Sequence, residues 1–106
     1  MILVASETKQ ITEKDILLEI EDEIIVKFCE LNGGMEFAMP IIRKQYEKFN
    51  VDFKCPTKED LYKIVQALIE VTENLKGDLV AKEERRIFKE LLNKLEKDIK
   101  AYQSQN

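Results

Sequence analysis

A chain of 106 residues that is 44% apolar, 36% charged and 8% aromatic, with a formal charge of −4, has the size and make-up of one globular domain. Disorder, which needs low hydrophobicity with high net charge, does not fit it. The chain has no histidine, so it lacks the side chain that titrates near neutrality unaided, and Ser–His, Cys–His and histidine–metal chemistry are excluded within one chain.

The pI near 5.0 argues against tight nonspecific binding to nucleic acid, whose affinity comes largely from counterions released by clustered Lys and Arg. Cys29 and Cys55 form no C-x-x-C pair and complete no zinc site, so both read as free thiols in a reducing interior. Cys55 keeps a reactive option, because Lys54, Lys58 and a helix start lie close to it in sequence. Met1–Ala5 is too short for a signal core and no stretch is long enough to span a bilayer, which predicts a cytoplasmic protein with no membrane contact. Fourteen lysines against three arginines, with fifteen glutamates and twelve isoleucines, give a thermophile-like composition.

Met1–Ala5 is apolar throughout and reads as a short extended segment, paired with residues 51–55 of this chain or of another copy. The first long helix is expected over residues 13–32. Thr12 caps it, Glu13 and Asp15 suit its positive end, and Asn32-Gly33-Gly34 stops it. Pro40 fits a first helical turn, which predicts a short helix over 40–49 with Ile42, Tyr46 and Phe49 inward; residues 35–39 extend it through a kink. Val51, Phe53 and Cys55 alternate with polar residues, giving an extended connector that buries Phe53.

A third helix is expected over 58–76, opened by Thr57 and closed by Gly77, with Leu61, Ile64, Val65, Leu68, Val71, Thr72 and Leu75 on its inner face. The last helix follows over 79–102. So short a connection makes the final two helices an antiparallel hairpin. No repeat, linker or glycine-rich phosphate loop interrupts the chain, and the expected architecture is a single all-α, four-helix bundle-like domain covering 1–106.

The first helix carries the most distinctive pattern. Ile16, Leu17, Ile20, Ile24, Phe28 and Leu31 fill about a third of its circumference, and Leu18, Ile25 and Cys29 widen the apolar arc to roughly 220°. The alternatives are a helix enclosed by its own bundle and a helix that meets another molecule. The second gives a noncatalytic interaction, regulatory or assembly module, a homodimer or a binder of a partner protein. Leu18, Ile25 and Cys29 then make the contact, and the acidic flank of Glu19, Asp22 and Glu23 selects a basic partner.

Charge is uneven along the chain: residues 1–32 carry −5, residues 33–63 carry +1 and residues 64–106 are neutral. The alternative function is a nucleic-acid-associated regulator using Arg43, Lys44, Lys48, Lys54 and Lys58, although the neighbouring aromatics fall on the inward side of their helix. The connector over 49–57 is too long for a helix-turn-helix. Glu21 and Glu84 fall on apolar faces and invite an acid–base or metal role. The plainer reading puts Glu84 in a first helical turn and Glu21 against a lysine at an interface edge. No residue is assigned a catalytic role, and no cofactor or metal is expected.

Overall fold

The computed structural model describes residues 11–105. Four helices and no strand occur among the described residues: α1, Glu13–Leu31; α2, Met35–Lys48; α3, Lys58–Lys76; and α4, Asp78–Gln105. The all-α bundle expected from the periodicity is the fold.

Local chemistry sets the helix ends. Thr12 Oγ1 accepts from the Asp15 amide at 3.2 Å while the Asp15 carboxylate accepts from the Thr12 amide at 3.0 Å, a reciprocal cap at the start of α1. Thr57 and Asp60 repeat it at the start of α3, at 3.0 and 2.9 Å. At the end of α1 the Gly34 amide reaches back to the Cys29 carbonyl at 2.8 Å, with Gly33 at φ +88° between them, a closure suited to glycine. Gly77 alone joins α3 to α4. Its amide closes α3 on the Glu73 carbonyl and its own carbonyl accepts from Ala81 to open α4.

Three expectations about the middle of the chain change. Residues 35–39 do extend the second helix, which starts at Met35, so Pro40 sits inside it rather than in its first turn and leaves the Glu36 carbonyl without a helical amide partner. Residues 51–55 are not extended: α2 ends with Asn50 at φ +54° and the Val51 amide bonded to the Tyr46 carbonyl at 2.9 Å. A tight turn follows, in which Asp52 Oδ1 accepts from the Lys54 amide at 2.8 Å. Phe53 is only half-buried, its ring stacked on Tyr46 with centroids 3.8 Å apart. The pairing proposed for residues 1–5 lies outside the described residues.

The helices alternate in direction. Tyr46 meets Glu21, Lys94 meets Glu23, Lys58 meets Glu96 and Thr72 meets Glu84, an up-down-up-down order in which α3 and α4 form the expected hairpin. Both α1 and α3 pack against all the other helices, whereas the backbones of α2 and α4 do not approach each other closely. The core between them holds Ile20, Ile24 and Phe28 of α1, Ile42 of α2, Leu61, Ile64 and Leu68 of α3, and Phe88 and Leu95 of α4. Each such side chain contributes about 1.5–3 kcal/mol when removed from water. Leu75, placed on the inner face of α3 by its spacing, is instead half exposed at the end of the bundle.

Candidate functional site

The wide arc of α1 is largely consumed within the chain, because three helices surround it. Cys29 is buried in the core, and is therefore not presented to a partner. Ile25 is half-buried against the core cluster, and Leu18 is half-buried. The neighbouring Val26, not singled out by the sequence, is 39% exposed. Glu19 and Asp22 are exposed, while Glu23 approaches Lys94 of α4 at 3.4 Å. What α1 offers to solvent is thus a narrow strip of Leu18, Ile25 and Val26 beside two acids.

Arg43, Lys44, Lys48 and Lys54 are exposed, but Lys58 pairs with Glu96 at 3.3 Å. The aromatics among them are engaged. Tyr46 is buried, Phe53 stacks on it, and Lys48 lies 5.5 Å from the centre of the Phe49 ring. Cys55 is exposed.

Glu21 and Glu84 are both buried, and neither meets a lysine or lies in a first turn, which corrects the plainer reading of each. Glu21 Oε2 accepts from the Tyr46 hydroxyl at 2.8 Å, joining α1 to α2. Burial pushes its carboxyl up to about 7 against the opposing pull of that bond, and Asp22 and Asp52 push in the same direction as burial. Tyr46 is raised above the usual phenol range by burial and by its bond to Glu21.

Glu84 is fully buried in a polar junction of three helices. Its Oε2 accepts from the Thr72 hydroxyl at 3.0 Å, and Thr72 Oγ1 accepts from Asn32 Nδ2 at 3.0 Å. The other hydrogen of the Asn32 amide goes to the Phe28 carbonyl at 3.1 Å. Glu84 Oε1 and Asn32 Oδ1 have no partner. Burial raises the Glu84 carboxyl to about 7, while the Thr72 bond and Arg85 pull it down. The described residues hold no group of three or more His, Cys, Asp or Glu arranged for a metal ion, and none of their helices is long and apolar enough to cross a membrane.

Directly outside this junction lies a feature the sequence did not reveal. The Asn32–Thr72–Glu84 bonds bring the α1–α2 and α3–α4 turns to one end of the bundle. Met35 and Phe37 beside the first turn are 61% and 54% exposed, and Leu75 and Leu79 beside the second are 50% and 85% exposed. A surface groove of about 430 Å³ runs from Leu79 along α4 past Lys82, Glu83, Arg85, Arg86 and Lys89. Arg86 is engaged by Glu83 and Glu90, whereas Lys82, Arg85 and Lys89 are exposed. Large apolar side chains concentrated at one exposed end, with a basic flank, mark a surface suited to another macromolecule. Compared with protein-family models, curated proteins and solved structures, the chain matches none.

Proposed function

We propose that this protein is a noncatalytic interaction module that docks a protein partner on the turn end of its bundle. The observation that carries the reading is the exposure of Met35, Phe37, Leu75 and Leu79 on two turns held together at that end. Burying them removes apolar area from water, and Lys82, Arg85 and Lys89 favour a partner with acidic residues around its apolar anchor. The strip on α1 is narrower, since Cys29 and most of its arc belong to the core. A second copy of the chain and an unrelated protein are the two kinds of partner.

Molar mass in solution over a range of concentrations separates them. If copies associate through the turn end, Phe37→Glu with Leu79→Glu yields a monomer with unchanged helix content, and Leu18→Glu leaves the mass as it was. Loss of association on Leu18→Glu alone would move the interface to α1. A chain that stays monomeric at every concentration directs the turn end to an unrelated protein; the same double substitution should then abolish capture of that protein. Equal capture by the substituted and unsubstituted chains would refute the reading.

A further inference from the structure

The Asn32–Thr72–Glu84 junction has too few hydrogens for its acceptors. Three are available, two on the Asn32 amide and one on the Thr72 hydroxyl, and all three are spent on the Phe28 carbonyl, Thr72 Oγ1 and Glu84 Oε2. The Phe28 carbonyl can only accept, which fixes the orientation of the amide. Two buried oxygens, Asn32 Oδ1 and Glu84 Oε1, remain without a donor. An ionised Glu84 would bury a negative charge on one hydrogen bond, an arrangement that costs far more than a neutral acid in the same place.

We propose that Glu84 is a protonated carboxylic acid in the folded protein and that the junction is a proton-operated latch, closed when the proton is bound and loosened when it leaves, on the ends of α1, α3 and α4. A proton on Glu84 removes that buried charge without needing extra volume. Its hydrogen-bonding neighbours on the other helices are neutral, Thr72 of α3 directly and Asn32 of α1 through Thr72, and no charge on another helix shifts it. The Thr72 bond and, after it, the charge of Arg85 on α4 itself favour ionisation against the effect of burial, and the transition falls near neutrality.

The latch sits where loosening has a local outcome. Asn32 caps α1, its side chain takes the Phe28 carbonyl, and its backbone amide turns to Cys29. Opening therefore frees the last turn of α1 together with the Gly77 joint, whatever docks on the surface outside. Between the ordinary carboxyl range and about 7 the closed form holds a proton that the open form has released, so opening becomes about tenfold easier per pH unit and levels off above that range.

Two measurements on the full chain test this. The side-chain carboxyl carbon of Glu84, assigned in the unsubstituted chain by through-bond correlation to its own backbone, should titrate well above the exposed glutamates. Amide exchange at Gly34 and Ala81, corrected for intrinsic rates, should lose protection by about tenfold per unit from pH 5 to 7. Glu84→Gln, neutral at every pH, should abolish that slope, and Glu21→Gln should preserve it. A Glu84 carbon that titrates with the surface acids overturns the proposal, even if Glu84→Gln does not fold. So does an unchanged slope in a folded Glu84→Gln chain.

Discussion

Glu21 and Glu84 give the molecule an unusual dependence on acidity. Each is buried with a carboxyl raised from 4.5 to about 7, so the folded chain retains protons that the unfolded chain has lost over that interval. Stability consequently falls as pH rises from about 4.5 to 7 and is flat beyond, by up to ~3 kcal/mol for each acid at about 1.4 kcal/mol per pKa unit. Urea unfolding at pH 5 and pH 8 should show the higher midpoint at pH 5, with the difference reduced in Glu21→Gln. Tyr46→Phe removes the hydrogen bond that holds the Glu21 carboxyl down, so it should cost about 1–3 kcal/mol and extend the decline to higher pH. Thr72→Val preserves shape but strips donor and acceptor from the junction at once. Its expected cost is at least ~2 kcal/mol, measured by the same unfolding curves.

Helix ends depend on a few residues whose replacement has defined outcomes. Gly77 combines φ +92° with ψ 177°, a conformation essentially confined to glycine, so Gly77→Ala should destabilise by about 1–3 kcal/mol although a Cβ there meets no neighbour. Pro40 is exposed and interrupts the ladder of α2, and Pro40→Ala should raise the thermal midpoint by restoring an amide for the Glu36 carbonyl. These elements also show what the chain discloses before folding. Thr12, Thr57, Gly33 and Gly77 are short-range signals, each acting on its immediate neighbours, and they marked three of the four helices closely. Pro40 was placed in a first turn because it is compatible with one locally, whereas the helix runs back through residues 35–39, with Ala38 buried in the core, and takes Pro40 into its interior. Similarly, the alternation from Val51 to Cys55 mimics a strand, but a lone strand has no partner among the helices to take its amides.

At the scale of the whole molecule, surface ion pairs such as Lys58–Glu96 and Lys94–Glu23 join elements but are exposed, and each is worth little. The core and the turn end decide more. An apolar residue looks the same in a sequence whether it is enclosed or bare, which is why Leu75 was assigned to the interior and Cys29 to an interface. The buried acids were visible as charges on apolar faces, yet Tyr46 and Asn32, their partners or relays, lie 25 and 52 residues away along the chain and could be joined to them only by the fold. The single residue at Gly77 has one more consequence. Because it belongs to both helices that it joins, the tip of that hairpin has no slack, and an inserted tag or a protease should find purchase instead at the exposed Lys54–Cys55 turn, where lengthening the chain disturbs neither neighbouring helix.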